Sequence, residues 1–284
     1  MKLPLFAGIA ALALMGQAAP PTPGPAKTGQ IPALKLWRLD CGTVMVNTLD
    51  AFSDTLAYPG QSKRLTASCY LIQHGDTYML WDTGLSAALK GAPIDPSKPM
   101  SPTVTTTLRE QLATLGIAPA RISIVGISHY HSDHIGQAAD FPHATLTIGK
   151  NDLDALKAGR PGTDAKLVAP WIAGGGKVDP VSGDRDVFGD GSVTMLDLPG
   201  HTPGHHALLV RLAGRGNILI SGDVAHFREN YDGDGVPPFN TERADSLASL
   251  ARFKALAKNL HATVIIQHDP RDIAKLPAFP AAAE

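Results

Sequence analysis

Cysteine is scarce in this 284-residue chain: Cys41 and Cys69 are the only two, and they form no Cys-x-x-Cys pair. That excludes a thiolate zinc site and a dithiol redox motif. Their pairing stays open, since two cysteines either cross-link in an oxidising compartment or pack as small apolar groups. A surplus of one charge is also missing, because 25 basic and 26 acidic residues leave a net charge of −1 with no basic stripe. Nucleic acid is therefore not an expected partner, as neutralising phosphates needs clustered Lys and Arg. Aromatic residues make up only 6% of the chain, and apolar runs are short everywhere except at the N-terminus. There, Lys2 precedes the stretch Leu5 to Met15, and small residues follow at Ala18 and Ala19. That stretch is too short to span a bilayer stably and reads as a secretory leader over residues 1–19. A buried N-terminal helix is the alternative. Residues 20–33, rich in Pro and Gly, read as a linker, which leaves residues 34–284 as one catalytic domain in a periplasmic or secreted protein. No membrane contact is expected after the leader is cut, and a homodimer is left open.

Histidine, by contrast, is concentrated. His129-Tyr130-His131-Ser132-Asp133-His134 places four metal-binding side chains in six residues, directly after the apolar run Ile122 to Ser128. His201 follows in Pro199-Gly200-His201-Thr202-Pro203-Gly204-His205, Asp223 in Ser221-Gly222-Asp223, and His268 in Ile266-Gln267-His268-Asp269. Five imidazoles and two carboxylates suit zinc and are too rich in nitrogen for calcium or magnesium. One tetrahedral ion cannot use all seven. Two adjacent ions sharing a carboxylate can, and such pairs drive hydrolysis. If the chain is still extended at His129 and His131, alternate side chains point the same way. The expected division is therefore His129, His131 and His201 on one ion, Asp133, His134 and His268 on the other, with Asp223 between them.

Strands are expected at Leu34 to Val46, Ala67 to Gln73, Tyr78 to Trp81, Arg121 to Ser128, Thr145 to Ile148, Val193 to Leu198, Ala207 to Leu212, Asn217 to Ser221 and Ala262 to Gln267. Helical faces are formed by Val104, Leu108, Leu112 and Leu115, and by Leu250, Phe253, Ala257 and Leu260. The class is mixed α+β, with two packed sheets and helices outside. Each candidate ligand falls just past a strand end, where a rigid scaffold aims side chains into a cleft.

The ordered pattern His-x-His-x-Asp-His, Gly-His-Thr-Pro-Gly-His, Ser-Gly-Asp and a late His resembles the metallo-β-lactamase superfamily of hydrolases. The resemblance implies an αββα sandwich of two mixed sheets, with the metal cleft at one edge. Within that superfamily, Tyr70 to Gly84, Ser221 to Phe227 and Ile266 to Pro270 look most like N-acyl-homoserine lactone lactonases. Those enzymes open the lactone ring by attack of a metal-bridging hydroxide, so two divalent ions, zinc first, and a small lactone substrate are implied. Many of them place a Tyr three residues after the bridging Asp to assist the substrate carbonyl. Here that position is His226, which could supply an N–H donor.

Asp133 reads either as a ligand alone or also as the group that carries a proton to the leaving alkoxide. Asp82, in Trp81-Asp82-Thr83-Gly84, either orients a ligand His or caps a helix; the resemblance favours the first. His205 is expected to hydrogen-bond within its turn, His206 and Tyr130 to pack, and His74, His143 and His261 to be surface or structural histidines. Phe52, Leu56 and Tyr58 before the second strand, with Tyr231, Val236 and Phe239 after Asp223, either wall an acyl-chain site or anchor loops. Three rival readings remain. A phosphotriesterase shares all seven ligands, a secreted β-lactamase shares the export signal but lacks a bridging Asp, and a periplasmic metal-binding protein would use the imidazoles without catalysis.

Overall fold

The computed structural model describes residues 33–284; the expected leader at 1–19 and residues 20–32 of the linker lie outside the described residues. Two mixed sheets pack face to face. The first holds β1 (Leu34–Val46), β2 (Lys63–His74), β3 (Thr77–Trp81), β4 (Met100–Thr103), β5 (Ile122–Ile127), β6 (Thr145–Gly149) and β7 (Val178–Val181) in the order β4-β1-β2-β3-β5-β6-β7. The second holds β8 (Arg185–Asp186), β9 (Val193–Asp197), β10 (His206–Leu212), β11 (Gly216–Ile220) and β12 (Thr263–Ile265) in the order β12-β11-β10-β9-β8. Among the described residues, seven α-helices accompany them: α1 (Leu108–Thr114), α2 (Ser132–Ile135), α3 (Lys150–Ala158), α4 (Ala169–Ile172), α5 (Arg228–Asp232), α6 (Arg243–Asn259) and α7 (Pro270–Ile273).

Strand alternation builds the layers. Along β2, Tyr70 and Ile72 face the second sheet and meet Met195, Leu208 and Ile220, whereas Cys69 and Leu71 face outward to Leu108 and Leu112 of α1. On the far side of the second sheet, Phe253 and Ala257 of α6 cover Leu196, Ala207 and Leu219. The result is the expected helix–sheet–sheet–helix sandwich.

Three strands lie outside the expected set. β4 contains Pro102 and sits at the sheet edge, where a missing N–H is tolerated; β7 and β8 are short and carry little alternation. The first helix starts later than its apolar face suggests and excludes Val104. Thr107 caps it with Glu110 in a reciprocal capping box, so the helix begins at Leu108.

Cys41 and Cys69 are bonded across β1 and β2, with Cα atoms 5.8 Å apart. β1 carries a register shift between Asp40 and Thr43, beside this bridge. Gly84 leans on the bridge from behind: a Cβ there would lie 2.2 Å from Cys41 Cβ, and its φ is +66°. Only glycine fits both demands.

Candidate metal centre

All seven candidate ligands converge at one edge of the sandwich. β5 ends at Ile127, the loop through Ser128 delivers His129 and His131, and α2 turns Asp133 and His134 inward. His201 follows β9, Asp223 follows β11, and His268 follows β12. They fall into two groups, His129 with His131, His201 and Asp223, and Asp133 with His134 and His268. That is the division expected from the alternation of side chains.

In the first group, His129 Nε2, His131 Nδ1 and His201 Nε2 form a triangle with sides of 3.0, 2.9 and 3.1 Å. In the second, His134 Nε2 stands 3.2 Å from His268 Nε2. Asp133 Oδ2 lies 3.8 and 3.7 Å from these two nitrogens. Asp223 spans the groups. Its Oδ2 is 3.3 Å from His201 and 3.6 Å from His129, and its Oδ1 is 3.0 Å from His268 and 3.3 Å from His134.

The donor set fits cations better than a hydrogen-bonded network. Nδ1 of His201 donates to Asn240 Oδ1 (2.8 Å), Nδ1 of His134 to Asp82 Oδ2 (2.9 Å), and Nδ1 of His268 to the Thr66 carbonyl (2.6 Å). With Nδ1 so engaged, each ring aims its Nε2 at the centre, where in its neutral form it would offer a lone pair to a cation. In the first group, where burial favours neutral rings, nitrogens that face one another at such distances suit a positive charge between them. Asp223 Oδ1, buried against the His268 and His134 nitrogens, makes no hydrogen bond of good geometry, and a cation would satisfy it.

Electrostatics separate the two groups. Burial drives His129 and His201 well below the usual imidazole pKa, and for His129 the neighbouring His134 adds to this. For His134 and His268, burial is again the largest single effect, but Asp223 and Asp133, with Asp82 beside His134, together outweigh it and hold both above the usual range. Asp223 stays well below the usual carboxylate range in spite of burial, because His268, His134 and His226 surround it.

The groups behind the ligands are fully engaged. Asp82, buried and left-handed at φ 58°, accepts from Ser128 N (2.7 Å), Ser128 Oγ (2.9 Å), Gln267 Nε2 (2.9 Å) and His134 Nδ1. No helix begins at Asp82. His205 reaches past its own turn. Its Nδ1 donates to the Leu198 carbonyl at 2.9 Å, and its Nε2 accepts from Asp223 N at 2.8 Å, with burial pushing its pKa down to about 3. Tyr130 packs in the core, His206 bonds to the Gly204 carbonyl, His74 pairs with Asp190, and His143 and His261 are exposed.

His226 stands at the rim with Nε2 3.2 Å from Asp223 Oδ2. Its ring meets Phe52 edge-on at 5.1 Å and lies parallel to His268 at 5.9 Å.

A hollow of about 230 Å³ opens over the centre. Of the six expected wall residues, Phe52 and Phe239 line it. The other four lie elsewhere. Leu56 points into solvent at 77% exposure, Tyr58 packs on Phe227 and Asn230, Tyr231 packs on Phe253, and Val236 is buried where its carbonyl accepts from Asp54 N. The last three hold their loops to the body of the fold, whereas Leu56 anchors nothing. The remaining apolar wall comes from Val44, Val46, Leu65 and Met100, which are strand residues that a search of the loops passes over. The Gly-His-Thr-Pro-Gly-His motif was the available signal for His205, whereas nothing local marks Gln267 as the group joining Asp82, Trp81 and Gly222.

This geometry defines a candidate site for two metal ions, and the sequence pattern of the metallo-β-lactamase superfamily matches residues 63–268. The chain belongs to that superfamily. Among curated relatives, the N-acyl homoserine lactonase AttM of Azorhizobium caulinodans is 30% identical over 56% of this chain, and the chain spans 63% of the length of that relative. An N-acyl homoserine lactonase of Bacillus thuringiensis is 23% identical over 87% of this chain and 97% of its own length. The fold is that of an N-acyl homoserine lactone hydrolase solved with N-hexanoyl-L-homoserine at its catalytic metal centre: TM-score 0.75, 22% identity, 89% of this chain and 100% of the other. It is also similar to the dizinc quorum-quenching lactonase AidC (TM-score 0.62, 18% identity, 89% of this chain and 90% of the other).

Proposed function

We propose that this chain is an exported two-zinc hydrolase that opens the lactone ring of N-acyl-homoserine lactones. The observation that carries the reading is Asp223, whose two carboxylate oxygens each face a separate histidine group. His129, His131 and His201 with one oxygen would hold one ion, and Asp133, His134 and His268 with the other would hold its neighbour. Bound there, such ions supply Lewis acidity, polarising a carbonyl oxygen and lowering the pKa of water to about 7.

The chain's own groups supply the rest. Asp133, whose side chain is 28% exposed at the cleft floor, is placed to carry a proton to the departing alkoxide. His226 presents its Nε2 edge to the centre and takes the place of the tyrosine that many of these lactonases use as a donor to the substrate carbonyl. Phe52, Val44 and Met100 give the acyl chain an apolar surface beside the scissile ring. Relatives named for this activity support the substrate. Export is supported by the leader-like N-terminus and by a disulfide, which persists in oxidising compartments.

Zinc-loaded protein is to be incubated separately with an N-acyl-homoserine lactone, a paraoxon-type ester and a cephalosporin while product release is followed. The lactone should turn over fastest. Preferential cleavage of either rival overturns the lactone reading, and no turnover with two ions bound would leave a metal-binding protein.

A further inference from the structure

A carboxylate lies buried behind the His201 loop with no cation beside it. Asp152, in the first turn of α3, is wholly inaccessible to solvent. A carboxylate at that helical position ordinarily serves the free N–H groups of its own helix. Asp152 makes no such bond. It accepts instead from Thr202 Oγ1 at 2.7 Å and from Gly204 N at 2.6 Å, and the backbone N–H of Tyr130 lies near it. Thr202 directly follows His201, and Tyr130 lies between His129 and His131. One side chain thus bonds the start of α3 to the His201 loop and stands against the loop that carries His129 and His131.

The backbone is shaped to permit this. A Cβ on Gly204 would lie 2.5 Å from Asp152 N, and one on Gly149 would lie 1.9 Å from the Gly204 carbonyl oxygen. Both glycines let the turn after His201 rest directly on the helix start. Burying a carboxylate against neutral donors alone is a costly way to join two loops, since an apolar contact would join them without the desolvation. What an apolar contact does not fix is the angle at which each loop meets the other.

We infer that Asp152 is a positioning residue: it sets the approach of His201 to His129 and His131 and so governs how tightly the first ion is held. This rests on the two-ion reading above, but its test involves no substrate.

Metal-free protein is titrated with zinc against a chromophoric chelator to read two affinities, and the first site is identified as the one that His201→Ala abolishes. Asp152→Asn keeps the shape but turns an NH2 toward groups that donate, so one bond becomes a clash. Losing a group behind a ligand weakens metal binding by about 10- to 100-fold, and that loss is expected at the first site with less than about threefold change at the second. The cobalt spectrum of the first site should shift as well. Should Asp152→Asn fail to fold, Thr202→Val removes one donor and is expected to weaken the same site in the same direction, with Thr202→Ser restoring it. Wild-type affinities at both sites, or an equal loss at both, would overturn the role even if the melting temperature falls. Absence of lactone turnover by the wild-type protein would sink the proposed function and leave this result untouched.

Discussion

The two histidine groups that meet at Asp223 are supported in unlike ways. The first is three imidazoles in a tight triangle, with nitrogens kept neutral by burial and held by Asn240 and the Asp152 clasp. The second holds two imidazoles with Asp133 partly open to the cleft, braced by Asp82 and a main-chain carbonyl, and the disulfide packs against Gly84, two residues beyond Asp82. The first group is closed and serves to anchor. The second sets its two imidazoles beside a carboxylate that solvent can reach, the placement that the proposed proton transfer requires. Division of labour at such a centre therefore follows from which group carries an accessible acid, not from the number of ligands.

Four variants break or sharpen this contrast. Asp223→Ala removes the one group common to both sides and should abolish binding of both ions, with kcat/KM falling by at least about 10³-fold, on the order of 4 kcal/mol of barrier. Metal analysis alongside rates checks it, and retention of either ion would show that the carboxylate is not shared. Next in size, Cys41→Ala with Cys69→Ala opens a bridge of sequence separation 28, which chain-entropy reasoning values at about 3.5 kcal/mol. Thermal unfolding should then begin about 10 °C lower, with the second site, nearest Gly84, losing more affinity than the first. Asp82→Asn should weaken the second ion about 10- to 100-fold and spare the first, the mirror image of Asp152→Asn, and chelator titration reads both. Smallest, His226→Phe should slow ring opening about tenfold while both ions stay bound; an unchanged kcat would remove its part in the reaction.

The ligands could be recognised in the sequence because each comes from a short local pattern at a strand end, where neighbouring residues dictate direction. The cleft wall could not. Val44 and Val46 lie beyond the register shift at Asp40 to Thr43, and a shift in register changes which face of a strand the alternation serves. Whether that face meets a sheet, a helix or open space depends on partners far along the chain. Leu56 and Tyr231 show the same limit from the other side, since apolar loop residues near the motifs can turn outward or pin their own loop. Asp152 has no local signature, because Thr202 stands fifty residues away from it. Only the folded backbone brings them together.

The most direct measurement is the number of divalent ions held per chain after zinc supplementation and removal of loose metal. Two equivalents are expected, both lost in Asp223→Ala. A single equivalent in the wild-type protein would contradict the paired centre on which the proposed chemistry depends.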